Sequence, residues 1–361
     1  TPDGGRVVSA SEDGTLKVWD LRSGQCLYTL HGFNGFLTVA IGLDFVCAGD
    51  VRGNVWILET GSSVARIPVD SNKATSPVTP TPMTFFFPPP LLDAYRSRKL
   101  ALCIGSGLSF SEGVQGNFPK WLELPQRFLD ACERQGVLDA EIIAAKRTQF
   151  AKKMRLEVML AELGTLVTAL GRSYQDALND IFRPPNAAPG LVHHAIAHLR
   201  VGAILTTNYD PLIEDLGETP RRQPYTWKEA DRALNDLQAG RRILFKIHGT
   251  AERYDTVVIT EREYDGVRSN TRYQSVLRHL LQEYMVLFLG YGMNDPFDID
   301  LVLKWNADVF NSAARRHYAL LKDPSDTDSD RYLRDHNVQV LPYSDYAALP
   351  GILEALKHAG P

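Results

Sequence analysis

The sequence predicts an α/β fold, a parallel sheet with a helical insertion, preceded by a shorter all-β segment. Three observations carry this. Four apolar runs, Leu100–Ile104, Val201–Leu205, Arg242–Ile247 and Met285–Leu289, each end in a polar island, most of them bearing glycine. A stretch of helical periodicity separates the first two, and six short β-rich runs fill the first 60 residues. Near-continuous apolar runs, without strict alternation, are the mark of strands buried on both faces, as parallel strands are. The islands Gly105-Ser106-Gly107-Leu108-Ser109, Thr206-Thr207-Asn208-Tyr209-Asp210, Lys246-Ile247-His248-Gly249 and Gly290-Tyr291-Gly292-Met293-Asn294-Asp295 therefore fall at carboxyl ends of strands. That is the edge on which α/β sheets bind ligands.

Residues 1–60 have a different grammar. Arg6–Ala10, Thr15–Trp19, Cys26–Leu30, Phe36–Ile41, Phe45–Ala48 and Asn54–Leu58 read as strands, with Asp13-Gly14 and Arg52-Gly53 suited to tight hairpins. Trp19 and Trp56 are 37 positions apart and Gly14 and Gly53 are 39 apart, close to the period of roughly 40–45 residues of propeller blades. Trp19-Asp20 and His31-Gly32 resemble the WD-repeat signature, with a second copy reduced to Trp56-Ile57. Two blades cannot close a ring. Upstream blades, another subunit or the C-terminal domain would have to cover them, and the expectation is that they end a longer propeller. A vestigial β-module without a partner is the alternative.

Residues 61–90 hold seven of the 21 prolines, interleaved with Ser and Thr, and read as a semi-rigid linker. Phe85-Phe86-Phe87 is too apolar to stay solvated and is expected to dock on the C-terminal domain.

That domain, residues 91–361, opens on the glycine loop. Gly105 and Gly107 directly after a strand let the backbone turn sharply and approach a pyrophosphate, whose charge free N–H groups can bind. Phe110 stands where the usual dinucleotide fingerprint has its third glycine, which disfavours an ordinary NAD dehydrogenase. A tight strand-to-helix turn and nothing more is the minority reading of this loop. The insertion, about 119–190, shows helical spacing at Leu124, Phe128, Leu129 and Cys132 and again from Met154 to Val167. The five positive residues between Lys146 and Arg155 read as a solvated helix face.

Asn208 ends an apolar strand, where its amide can donate and accept toward a ribose hydroxyl and a water. Asp210-Pro211 reads as a helix start capped by Asp210. His248 ends another strand, and a neutral imidazole with an ordinary pKa of about 6.5 can take a proton from a hydroxyl or a water near neutral pH. Gly290 and Gly292 allow close backbone approach to a nucleoside, with Asn294 beside them, while Asp295 reads equally as a helix cap. Val338–Tyr343 reads as a closing core strand.

In this order the islands resemble the sirtuin-like (silent-information-regulator-like) family over roughly Leu100 to Tyr343. Phe118-Pro119-Lys120-Trp121-Leu122-Glu123-Leu124 resembles the Pro-x-Trp-x-x-Leu stretch of its bacterial branch, rich in NAD hydrolases of antiviral defence. The resemblance implies a Rossmann-like sheet with NAD as substrate. Gly105, Ser106, Gly107 and Ser109 would bind its phosphates, Thr207 and Asp210 would belong to the pocket, and Gly290, Gly292 and Asn294 would hold the adenosine half. Asn208 would contact the nicotinamide ribose or order the attacking water, and His248 would be the base. The deacetylases of the family need two Cys-x-x-Cys pairs for zinc. Cys26, Cys47, Cys103 and Cys132 have no paired spacing, so no metal is expected, protein deacylation is the weaker reading, and a reducing compartment is indicated.

The implied function is cleavage of NAD to nicotinamide and ADP-ribose by a toxic effector of antiphage defence, with the β segment for sensing or assembly, through a protein partner or self-association. A non-catalytic NAD or ADP-ribose sensor is the alternative. A net charge of −4 gives nucleic acid no support. No apolar stretch of about 20 residues or signal peptide is present, and the expected location is cytoplasmic. The chain opens Thr-Pro-Asp-Gly, not on Met, consistent with a piece of a longer propeller protein.

Overall fold

The computed structural model describes residues 5–13, 15–31, 36–41, 45–50, 55–59, 85–152, 154–217, 223–291, 303 and 315–360. They divide into two compact units, Thr1–Pro88 with Glu354–Ala359, and Pro89–Leu353 with Gly360–Pro361.

In the first unit, β1 (Arg6–Ala10), β2 (Thr15–Asp20) and β3 (Cys26–His31) form one antiparallel sheet, and β4 (Phe36–Ile41), β5 (Phe45–Asp50) and β6 (Val55–Glu59) form another. The sequence places all six within two residues of these bounds. Asp13 holds the first turn by accepting from the backbone N–H of Thr15 at 2.9 Å and from its hydroxyl at 2.7 Å. The half-buried Trp19 donates its indole N–H to Ser9 across the β1–β2 pair at 2.9 Å. Leu16, Phe36 and Ala48 bury a small cluster between the sheets, and the Phe36 N–H donates to the Ser11 carbonyl at 2.8 Å. The described residues show three strands per sheet, not a propeller blade of four. Gly14, Gly32, Gly53 and most of the linker lie outside the described residues. Helix α1 (Pro89–Arg96) begins inside the expected linker, and Phe87 before it is buried.

The second unit is built on a seven-stranded parallel sheet in the order β13-β12-β11-β7-β8-β10-β9. Its strands are β7 (Leu100–Ile104), β8 (Ala203–Thr206), β9 (Gln223–Thr226), β10 (Ile243–Lys246), β11 (Met285–Leu289), β12 (His317–Lys322) and β13 (Val338–Tyr343). Every residue of β7, β8, β10 and β11 is buried, which is why they read as unbroken apolar runs. Ala101, Cys103, Ala203, Leu205, Ile243, Phe245, Val286 and Phe288 share one core with α7 (Ala230–Gln238), α8 (Glu261–Arg268) and α9 (Thr271–Glu283). Burial of each large apolar side chain there contributes about 1.5–3 kcal/mol. β9 carries Pro224, which has no N–H for a second ladder, and lies at the sheet edge.

Chain order places the site. From the central β7 the chain passes to β8, then to β9 at the edge and back to β10 between them, then crosses to β11, β12 and β13 on the other side. The order reverses between β7 and β11, and the carboxyl edge at such a reversal is where open α/β sheets bind ligands.

Between β7 and β8 lie α2 (Leu124–Gln135), α3 (Ala140–Phe150), α4 (Leu156–Leu170), α5 (Tyr174–Phe182) and α6 (Leu191–Ala197). The core of α2–α5 includes Tyr209, Ala251, Val257 and Ile259 from the loops after β8 and β10, so the insertion braces the two strand ends that carry Asn208 and His248. The basic run is not a purely solvated face. Lys146 pairs with Glu162, and Arg147 pairs with Asp130 and Glu133 at 2.8 and 2.7 Å, tying α3 to α2 and α4. The helix expected after Asp210 is replaced by a turn in which the Asp210 carboxylate accepts from the Leu212 N–H at 3.2 Å, then by a short 3-10 turn, Glu214–Leu216.

Candidate functional site

The glycine loop meets its partner just beyond the carboxyl ends of β7 and β11. After the β7–β11 ladder ends, Gly105 N–H donates to the Leu289 carbonyl and Gly107 N–H to the Gly290 carbonyl, both at 2.9 Å. A side chain on Gly105 or Gly107 would put its Cβ 2.5 or 2.7 Å from the Gly290 oxygen. Gly290 has φ +58°, and a Cβ there would lie 2.2 Å from Leu108. The three glycines thus allow two loops to touch backbone to backbone. Beyond Gly105 the chain forms a 3-10 turn, Ser106–Phe110, not the start of a long helix.

Ser106 and Gly107 line a cavity of about 690 Å³ whose far wall comes from β12 and β13 and the loops beyond them, with Trp121, Tyr291, Tyr332, Tyr343 and Tyr346 among its aromatic groups. The Tyr343 and Tyr346 rings meet edge to face at 6.0 Å. Its volume lies in the range of small-molecule sites. Lys120 and Trp121, within the Pro-x-Trp stretch, line it too. Reading Val338–Tyr343 as core alone misses Tyr343's place in this wall. No local motif could reveal the cavity, because separate chain segments supply it.

On the other side of the glycine loop a buried polar knot forms. Asn208 Nδ2 donates to the Gly105 carbonyl at 3.3 Å and to Ser109 Oγ at 3.2 Å, and Ser109 Oγ donates to Asp210 Oδ2 at 2.9 Å. Ser109, Asn208 and Asp210 are all under 10% exposed. A carbonyl can only accept, so Gly105 fixes which end of the Asn208 amide faces it. Asn208 Oδ1 is left buried with no hydrogen-bond partner among the described residues. Burial pushes the Asp210 carboxyl up from its ordinary value, opposed by Lys246 and the Ser109 hydrogen bond. Thr207 contributes through its backbone, its N–H donating to the Ile104 carbonyl at 3.3 Å.

His248 stands level with Asn208. In the β8–β10 pair Thr206 is opposite Lys246, and the Ile247 N–H continues the ladder to the Thr206 carbonyl at 2.8 Å. Asn208 and His248 are each two residues beyond that rung. The His248 ring is 4% exposed and packs edge-on against Tyr264, centroids 5.2 Å apart, with Tyr209 at 6.4 Å on another side. Tyr209 in turn donates its hydroxyl to the Val258 carbonyl at 2.7 Å, and Val258 N–H donates to the His248 carbonyl at 3.0 Å. Gly249 comes next because φ is +82° and a Cβ would come within 2.0 Å of the Thr256 carbonyl oxygen.

The structure therefore brings Gly105, Gly107 and Gly290 into contact, joins Ser109, Asn208 and Asp210 in one network, and sets His248 on the adjacent strand end. Ser106 opens on the cavity. Gly292 and Asn294, with Asp295, lie outside the described residues. Reading Arg242–Ile247 as a plain apolar strand misses Lys246, which is 1% exposed and donates to the Asp210 carbonyl and to Glu214, both at 2.7 Å. The signal was a lysine in an apolar strand two residues before His248. Among the described residues no three His, Cys, Asp or Glu side chains gather to hold a metal, and no helix is long and apolar enough to cross a membrane.

Residues 202–341 match a family described as SIR2-like domain. The chain is similar to the NAD(+) hydrolase ThsA of Cytobacillus dafuensis, 27% identical over 237 residues, covering 64% of this chain and 42% of that protein. It is also similar to the NAD(+) hydrolase ThsA of Enterococcus faecium, 24% identical over 189 residues, covering 46% and 39%. A third likeness is short: 29 residues, 69% identical, to periodic tryptophan protein 2 of Saccharomyces cerevisiae, 8% of this chain and 3% of that protein. The chain spans about 40% of the length of the two bacterial relatives. The strand ends that carry Asn208, His248 and Gly290 lie within the segment that matches the SIR2-like family.

Proposed function

We propose that this chain hydrolyses NAD to nicotinamide and ADP-ribose, with the nicotinamide ribose between Asn208 and His248 and the adenosine half in the cavity beside Ser106 and Gly107. The observation that carries the reading is the acceptor Asn208 Oδ1, buried without a donor among the described residues and held toward the site because both amide protons are engaged by Gly105 and Ser109. A buried amide oxygen without a donor is unfavourable by about 1–3 kcal/mol, and a ribose hydroxyl or a water supplies the missing donor.

In the reaction the bond between ribose C1′ and the pyridinium nitrogen breaks, and the pair of electrons leaves with neutral nicotinamide. Water adds to C1′ and loses one proton. Asn208 Oδ1 accepts a hydrogen bond from that water or from a ribose hydroxyl, and His248 takes the proton as general base. The glycine contacts let phosphate oxygens approach the backbone. The names of the two bacterial relatives support this reading.

The wider setting is an inference from family resemblance: a toxic NAD-depleting effector of antiphage defence, acting in the cytoplasm. The two N-terminal sheets would be blades of an incomplete WD-type propeller serving sensing, a protein partner or self-association.

A second reading is a sensor that binds NAD or ADP-ribose without cleaving it. It is favoured by the placement of the cavity, whose lining includes neither Asn208 nor His248. Product analysis of purified protein incubated with NAD separates the two. Nicotinamide and ADP-ribose in equal amounts support hydrolysis, whereas saturable binding with intact NAD recovered supports the sensor.

A further inference from the structure

The residue of this site that no motif assigns is Lys246. It ends β10 opposite Thr206, and its side chain reaches the backbone just beyond Asn208. Its ammonium donates to the backbone carbonyl of Asp210 at 2.7 Å and to Glu214 Oε1 at 2.7 Å, with only 2% of the side chain exposed. A lysine is almost never fully buried unless paired, and here one of its two partners is a backbone carbonyl. The ammonium therefore fixes main chain as well as charge.

Asp210 is the point through which this matters. Its carbonyl is held by Lys246, while its carboxylate accepts from Ser109, and Ser109 accepts from Asn208. The carboxylate commits the one Ser109 proton, so the Ser109 lone pair faces the Asn208 amide protons. The charged side chains that bear on Asp210 are Lys246 and Glu214, of opposite effect. The position of the turn leads back to the ammonium, and the direction of the hydrogen bonds leads back to the Asp210 carboxylate and the Gly105 carbonyl.

We propose that Lys246, held by Glu214, is a positioning residue for NAD hydrolysis, clamping the Asp210 carbonyl so that the Asp210–Ser109–Asn208 chain presents Asn208 Oδ1 to the ribose or the attacking water. This deepens the NAD-hydrolysis reading and rests on it. Lys246 touches neither substrate nor reacting atoms.

The test compares full-length parent, Lys246→Met and Lys246→Arg in two measurements: nicotinamide release from NAD across pH, and hydrogen–deuterium exchange of peptides covering residues 203–216. For Lys246→Met we expect kcat to fall on the order of 10- to 100-fold with KM nearly unchanged, since a small displacement of a positioned group has effects of that size. The acid limb of kcat should move to higher pH, because Asp210 loses the charge that favours its ionised form. Exchange at 203–216 should quicken while β7 and β11 stay protected. Lys246→Arg should recover most of kcat. Should Lys246→Met fail to fold with Glu214 unpaired, Lys246→Met/Glu214→Gln removes both charges and takes the same measurements. Parent-like exchange at 203–216 in the Met variant overturns the clamp, and so does a lowered melting temperature with kcat and its pH limb unmoved. A parent that releases no nicotinamide sinks the hydrolase reading separately, and the exchange measurement alone then decides whether Lys246 holds the turn.

Discussion

The backbone N–H of Gly107 donates to the carbonyl of Gly290 at 2.9 Å, joining the loop after β7 to the loop after β11 where the strand order reverses. Two loops far apart in the chain thus share one floor, and their separation cannot accept a methyl group. Gly107→Ala places a Cβ 2.7 Å from the Gly290 oxygen. The loops must part, which should lower stability by about 1–3 kcal/mol and weaken NAD binding by tenfold or more. Calorimetric titration and thermal unfolding check both. Unchanged NAD affinity with the expected loss of stability would detach the glycine contact from nucleotide binding.

Ser106, next to it, is exposed and lines the cavity. Ser106→Trp should fill part of that space without disturbing a packed core. The expected result is an NAD affinity reduced at least tenfold with a melting temperature within about a degree of the parent, as surface substitutions change stability by about 0.5 kcal/mol or less. Undiminished affinity would move the adenosine half elsewhere.

The third prediction concerns acid stability. His317 Nδ1 accepts from the Val286 N–H at 3.1 Å, a bond that needs the neutral ring, and burial pushes its pKa down to about 3. His193 Nδ1 likewise accepts from Gly190, and burial pushes its pKa down to about 4. In the unfolded chain both titrate near 6.5. Between these values the unfolded chain binds more protons, so stability rises with pH, is fully present above about 6.5 and is lost progressively as pH falls toward 3–4. Each site contributes a slope of at most about 1.4 kcal/mol per pH unit. His317→Asn keeps an acceptor for Val286 and removes the titration. Urea unfolding from pH 7 to pH 5 should show a shallower decline for this variant, and an identical decline would be the contrary result.

How far the sequence foretells this structure depends on where the physical cause lies. Strands β7, β8, β10 and β11 are legible because burial on both faces leaves unbroken apolar runs, and β1 to β6 because turn residues bracket each run. β9 is not, since four residues including Pro224 at a sheet edge carry neither pattern. Nor is β12, whose His317 is buried by the hydrogen bond to Val286 and not by its own polarity. Asn208 and His248 are legible as polar residues ending apolar strands. Lys246 hides inside such a strand, because its partners Asp210 and Glu214 are brought to it only when β8 and β10 pair. The cavity wall of Trp121, Tyr332, Tyr343 and Tyr346 exists only after the sheet order is set.

The most direct measurement is nicotinamide release by His248→Ala set beside its NAD affinity. Loss of a positioned base should lower turnover by about 10²- to 10⁴-fold while phosphate and adenosine contacts survive, leaving the dissociation constant within a few-fold of the parent. Asn208→Ala should behave alike. Parent-level nicotinamide release by both variants, under conditions in which the parent is active, would contradict the assignment of these two strand ends as the site of NAD cleavage.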